Sequence, residues 1–408
     1  MSDTAKIAVI GGGAAGMMAA GAALTMGADV TIYEHTDRFG KKLAITGKGR
    51  CNVTNQCTLQ EFLENVPRNP RFLYAALSAF APEDTMAHFE SLGVPLKVER
   101  GRRVFPQSDK AADIVSAMKR YCAGAKARSE NVTLITHEKD GSFTVHGKTE
   151  ETFDAVILAT GGRSYPLTGS DGSGHRLARK LGHSVTDLEP SLVPLTSPSQ
   201  ICPDLQGLSL KNVSIRMIRD GKTVYEDFGE MLFTHFGVSG PVILSASAHL
   251  RDIPLEEVTL EIDLKPALDE KTLDARLLSD FTKLANKDLI NALDALLPQK
   301  LHSVFCALSG VGEHRKVNTI TKAERHAMLQ TLKHFSVPLS GTRPIEEAIV
   351  TSGGVDVKEV SPKDMQSKLL PGLYFAGEIL DVDAYTGGYN LQIAFSTGYL
   401  AGISAATR

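Results

Sequence analysis

The tightest constraint on this chain lies in its first thirty-four residues. Lys6–Ile10 is an apolar run rich in β-branched residues, and Gly11-x-Gly13-x-x-Gly16 follows it directly. Ala14–Met26 is then a helix-length stretch of small and apolar residues, and Asp29–Glu34 is a second run of strand type. Each glycine has its own steric task. Gly11 permits a tight turn, Gly13 lets a phosphate approach the backbone, and Gly16 lets the helix pack close to the sheet. The helix N-terminus offers unpaired N–H groups and a partial positive charge. Glu34, 21 residues beyond Gly13, stands where an acid accepts hydrogen bonds from ribose hydroxyls. A Gly-rich turn alone needs no ligand. Strand, helix, second strand and Glu34 in register describe a βαβ site for the adenosine diphosphate portion of a dinucleotide.

Ile7–Ala28 carries no charge and has the length of a membrane span or signal segment. Six of its residues are glycine and much of the rest is alanine, so its apolar content is weak and it divides into a strand and a helix. Soluble structure is the better reading. In 408 residues, 44 Lys and Arg nearly balance 47 Asp and Glu, giving a net charge of −3, and Trp is absent. Neither nucleic acid nor an anionic membrane is expected as a partner on electrostatic grounds. Five cysteines with no C-x-x-C pair, and 12 histidines with no H-E-x-x-H, argue against a disulfide scaffold or a zinc site. A reducing cytoplasm is expected.

Strand and helix signals alternate through residues 1–191, including helices over Ser108–Arg128 and Gly172–Leu181 and the apolar run Phe153–Ala159. That alternation predicts an α/β fold with a parallel sheet. Residues 192–266 change to short alternating strands such as Val213–Arg219 and Val258–Leu264. Residues 267–332 have amphipathic helical spacing, 333–360 return to strand texture, and 361–408 hold a strand, a Gly-rich turn and an apolar helix from about Leu391.

Two distal strings select the cofactor. Leu373–Ala376 reads as a strand ending in Gly377-Glu378, and Ala159-Thr160-Gly161-Gly162 ends the apolar run before it. In FAD proteins with the glutathione-reductase type of nucleotide fold, such an acid reaches the ribityl chain, and the second string resembles a flavin-pyrophosphate signature. Asn390 would begin the last helix, whose N-terminus can stabilise negative charge at the N1/C2=O edge of a reduced flavin. Either string alone could be an ordinary strand-to-turn. In this order they point to noncovalent FAD.

Further strings run the length of the chain: Thr46-Gly47-Lys48-Gly49-Arg50-Cys51-Asn52-Val53-Thr54-Asn55, Gly101-Arg102-Arg103-Val104-Phe105-Pro106, Phe233 through Pro241, Thr351-Ser352-Gly353-Gly354-Val355, and Gly377 through Gln392. With them the chain resembles the BaiN and aminoacetone-oxidase-like family of bacterial FAD-binding proteins. The resemblance implies a split Rossmann-like FAD-binding domain (1–191 and 361–408), an inserted β-barrel-like substrate domain (192–266 and 333–360) and a small helical subdomain (267–332). The cofactor contacts expected are Gly11, Gly13, Ala14, Ala15, Gly16, Glu34, His35, Lys42, Gly49, Arg50, Cys51, Asn52, Leu134, Thr160, Gly161, Gly377, Glu378, Asp381, Gly388, Asn390 and Leu391, with no metal. Lys41, Lys42, Lys48 and Arg50 could offset the pyrophosphate charge, and Arg50-Cys51-Asn52 would pass beside the isoalloxazine.

The expected function is an FAD-dependent oxidoreductase that moves a hydride through flavin N5 between a small organic substrate and NAD(P)H or O2. With one complete fingerprint, NAD(P)H could bind only transiently in the substrate cleft. Proton-handling candidates are Tyr165, His235 and Tyr389, each of which could equally be packed or on the surface. Arg102 and Arg103 could bind a carboxylate. Two alternatives stay open. Cys51 and Cys57 could form a redox pair, although five intervening residues rather than four change their geometry. An FAD-dependent RNA-modifying protein is the other. Substrate identity and oligomeric state are not legible.

Overall fold

A computed structural model describes residues 4–408. The chain divides into two compact units, one running up to Ser191 and resuming over Pro344–Arg408, the other spanning Leu192–Arg343.

The first unit is mixed α/β around a parallel sheet. Its strands are β1 (Lys6–Ile10), β2 (Asp29–Tyr33), β3 (Lys126–Arg128), β4 (Ala155–Leu158) and β5 (Leu373–Phe375), in the spatial order β5-β4-β1-β2-β3. Every pairing is parallel. β4 and β5 are buried throughout, and β1 beyond Lys6, as in a sheet covered on both faces. Four helices matter here: α1 (Ala14–Thr25), α2 (Ala111–Tyr121), α3 (Ser173–Lys180) and α4 (Tyr389–Ala406). α1 has no polar face because it is enclosed. A Cβ on Gly398 or Gly402 of α4 would stand 2.5 Å or 2.3 Å from the carbonyl oxygens of Ala15 and Ala19, so the two helix backbones nearly touch.

The helix expected over Ser108–Arg128 is shorter. α2 ends at Tyr121, and Lys126–Arg128 pairs with Thr31–Tyr33 as the edge of the sheet. This Lys-Ala-Arg strand is fully exposed and carries no apolar signal; only its pairing makes it a strand. The apolar run Phe153–Ala159 is likewise split. Asp154 leaves the sheet to accept the Lys6 N–H, and Glu150–Phe153 belongs to an antiparallel meander with Leu134–His137 and Phe143–His146. The chain returns to the first unit at Pro344, not at 361. The reason is that Val350–Ser352 pairs antiparallel with Glu189–Ser191, so this stretch of strand texture belongs to a ribbon of the first unit.

The second unit carries a seven-stranded antiparallel sheet built on the long hairpin Ser209–Arg219 and Lys222–Thr234. Its two edge strands, Phe335–Pro338 and Gly341–Thr342, follow one another along the chain. The helical stretch does not have a core of its own. Leu273 and Leu277 of Glu270–Lys283 and Met328 and Leu332 of Lys322–Lys333 share one hydrophobic cluster with Ile215, Leu260 and Val337 of the sheet. No helix among the described residues is long and apolar enough to cross a membrane.

The α1–α4 contact leaves no room for a side chain. Gly402→Val should therefore destabilise the protein by about 1–3 kcal/mol through overpacking, read as a lower denaturation midpoint.

Candidate functional site

The carboxyl ends of β5, β4, β1 and β2, adjacent in that order, carry Glu378, Thr160-Gly161, the Gly11–Gly16 turn and Glu34. In open parallel sheets this edge is where ligands bind. Gly11 has φ +109°, and a Cβ there would lie 2.5 Å from the Ala159 carbonyl oxygen, so β1 and β4 converge as only glycine allows. Gly16 is tighter still, with a Cβ position 1.8 Å from the Gly11 oxygen. Gly13 is the opposite case: a Cβ would meet nothing within 4 Å. The turn is open on that side, beside the first N–H groups of α1, where Gly13 supplies no side-chain cap. Glu34 accepts the Gly12 N–H at 2.9 Å and the Thr36 N–H at 2.8 Å, which holds its carboxylate at the turn.

At the other end Glu378 is the centre of a polar network. Lys42 Nζ donates to Glu378 Oε2 at 2.8 Å and to Ser164 Oγ at 2.7 Å. The Ser164 hydroxyl and the Thr351 N–H donate to Glu378 Oε1 at 3.1 and 2.8 Å. Thr351 Oγ1 in turn accepts the N–H groups of Arg163 and Ser164. Burial pushes the Glu378 carboxyl up, but the Lys42 ammonium and these hydrogen bonds more than offset it, and the group stays below the usual carboxylate range.

Among the described residues, Thr160 Oγ1 and Asn52 Oδ1 are buried oxygens with no hydrogen-bond partner, and both belong to the expected contact set. Buried polar atoms without a partner call for one.

Other expected residues are placed differently. Arg50 is committed to Glu99 and Asp109 and lies 4.2 Å over the Phe105 ring, so its charge is already neutralised. Leu134 is an exposed residue at the start of a strand of the antiparallel meander, on a sheet separate from that of the fingerprint. The side chain of Asn390 is spent on the preceding loop: it accepts the Ala384 N–H and donates to the Ala384 and Tyr385 carbonyls. α4 nevertheless begins at Tyr389, with Gly388 (φ +101°) as its cap. Asp381 is buried against the Arg68 guanidinium. Cys51 and Cys57 are free and buried, and burial pushes their thiols up to about 12 and about 11, opposite to the depressed pKa of a reactive thiol. Tyr389 is buried edge-on against Phe62, its phenol pushed up to about 12 by burial. Tyr165 is exposed with φ +54°. His235 is an exposed turn residue of the second unit. Arg102 is held by Glu61 through two hydrogen bonds.

Comparison with known proteins gives a consistent result. The family model described as HI0933-like protein Rossmann domain matches residues 5–404. A 3-dehydro-bile acid delta(4,6)-reductase of Clostridium scindens is 31% identical over 99% of both chains. A ribosomal RNA dihydrouridine synthase of Haemophilus influenzae is 32% identical, again over 99% of both. A solved quinol–fumarate reductase with menaquinol molecules matches 99% of this chain and 71% of its own at a TM-score of 0.52 and 15% identity, a likeness of fold.

Sequence reasoning missed Ser164 and Thr351, whose signal is only a Ser after Gly-Gly-Arg and a Thr before Ser-Gly-Gly. It also missed His175 of α3, which is fully buried with Nε2 3.2 Å from the Ile379 carbonyl oxygen. Burial lowers its pKa from 6.5 to about 4. Below pH 6.5 the unfolded chain takes up a proton that the folded chain refuses until about pH 4. The contribution of neutral His175 is therefore full above that window and lost as pH falls through it, by up to about 3 kcal/mol. His175→Gln should flatten the fall in unfolding free energy between pH 7 and pH 4, measured against the unsubstituted protein.

Proposed function

Because the chain belongs to the HI0933-like family over nearly its whole length, we propose that it is an FAD-dependent oxidoreductase that reduces a carbon–carbon double bond conjugated to a carbonyl. One observation carries this reading. Two relatives matched end to end are named for reactions with the same bond chemistry. A Δ4,6 system beside a 3-oxo group and the C5=C6 bond of uracil are both alkenes activated by a carbonyl. Bound FAD would supply hydride at N5. The residues of this chain do the rest. Glu34 would hold the adenosine ribose, the α1 N-terminus at Gly13 the pyrophosphate, and Glu378 the ribityl hydroxyls. The N-terminus of α4 would face developing negative charge. NAD(P)H is the proposed electron source.

A small substrate is favoured over RNA by overall charge: 44 Lys and Arg against 47 Asp and Glu leave a net charge of −3, and Arg50, Lys97 and Arg102 are already paired with Glu99, Asp109 and Glu61.

The test is anaerobic. Purified protein loaded with FAD should be bleached by NADH or NADPH, and a conjugated cyclic ketone should restore the flavin absorbance. Restoration by ribosomal RNA alone would move the reading to the second relative's chemistry, and a protein that takes up no FAD would refute both. Glu34→Ala should weaken FAD binding by tenfold or more, the roughly 1.5–3 kcal/mol of a charge-assisted hydrogen bond, as measured by fluorescence titration.

A further inference from the structure

We propose that residues 162–172 are a rigid strap across the cofactor groove that controls how fast the dinucleotide is released. The inference rests on the FAD reading above and adds a segment that the reading does not use.

The loop leaves the end of β4 and returns as α3. Its two ends are pinned together, because the Gly172 N–H donates to the Gly162 carbonyl at 3.2 Å. One flank is fastened at the β5 side: Ser164 is fully buried and bonded to Lys42 and Glu378, and its N–H is bonded to Thr351. The other flank reaches the β2 side. At Gly169, φ +103°, a Cβ would lie 2.9 Å from Thr36 Cγ2 and 3.5 Å from the His35 ring, the two residues that follow Glu34. β1 lies between β4 and β2, and its Gly11–Gly16 turn is the phosphate site of the reading above. The loop thus has contacts on the chain after β5 and on the chain after β2, to either side of β1. It therefore runs along the same line as a dinucleotide stretched from Glu378 to Glu34.

The loop is braced rather than slack. Tyr165 is held at φ +54°, a left-handed conformation that non-glycine residues rarely adopt. Thr168 fixes it there, donating both its N–H (2.8 Å) and its hydroxyl (2.7 Å) to the Tyr165 carbonyl. The Gly169 N–H closes a second turn onto the Pro166 carbonyl. Ser170 is buried at the foot of the loop, its Oγ 2.8 Å from where a Cβ on Gly161 would stand. The apex contributes little to the core: Leu167 is 90% exposed. A braced loop with both flanks anchored and a free apex can hold a ligand without being needed for folding. It acts on release more than on the contacts of the bound state.

The experiment measures FAD release from the loaded protein, by recovery of flavin fluorescence after dilution into an excess of a flavin-scavenging apoprotein. Replacing Tyr165–Thr168 by four glycines should speed release by about tenfold or more, and Thr168→Val, which removes one brace, by roughly a few-fold. The thermal midpoint of the FAD-free protein should stay unchanged in Thr168→Val and fall in the glycine loop only by what its added chain entropy costs. If the glycine loop fails to fold, Thr168→Val decides alone. Unchanged release rates would overturn the strap while leaving the FAD reading intact. An unsubstituted protein that binds no FAD would overturn the reading of the site and the strap with it.

Discussion

A largely buried carboxylate is the constraint on which the arrangement of the first unit turns. Glu378 can stay ionised only if cations and hydrogen-bond donors replace the water it has lost. Its donors come from three places: Lys42 after β2, Ser164 after β4, and the Thr351 N–H of the ribbon. None of these segments is close to Glu378 in sequence, so the requirement is met only when the whole unit has assembled. Tertiary structure and ligand edge are thus specified together. The residues that satisfy the acid also line the edge of the sheet where a dinucleotide would lie.

The sequence was legible where the chemistry is local. The Gly11–Gly16 turn and Glu34 lie within one βαβ unit, and each glycine there has a steric reason that spacing alone reveals. It was illegible where a residue's role depends on distant partners. Nothing around Ser164 or Thr351 announces that they meet Glu378, from which Ser164 is 214 positions away. The motif position of Arg50 suggested a phosphate, but Glu99 and Asp109 claim it first. The edge strand Lys126–Arg128 has no apolar pattern because it has no buried face. The helical stretch 267–332, which the resemblance implied as a small subdomain, turns its apolar stripe to the core of the sheet.

Residue type without access also misleads. Ser367 Oγ lies 2.9 Å from His183 Nε2, and His183 Nδ1 lies 3.0 Å from Glu359, distances that would suit a nucleophile, its base and an orienting acid. Ser367 is only 4% exposed, and its oxygen already accepts the N–H groups of Leu369 and Leu370. The cluster locks a turn. The cysteines make the same point, since burial raises the very thiols that a redox role would need lowered.

The ribbon of Glu189–Ser191 and Val350–Ser352 has one more consequence. The chain leaves the first unit immediately after one of its strands and regains it just before the other, and the two are paired residue by residue, Ser191 opposite Val350. The hydroxyls of Ser191 and Ser352 both donate to the buried carboxyl of Asp383, which clamps the two strands independently of whatever joins them. Exit and entry are therefore one strand spacing apart, about 4.8 Å. Topologically, residues 192–349 amount to an oversized hairpin loop. A tight turn could take their place without breaking the chain of the first unit, so the seam permits the insert to be exchanged for another of different length and fold.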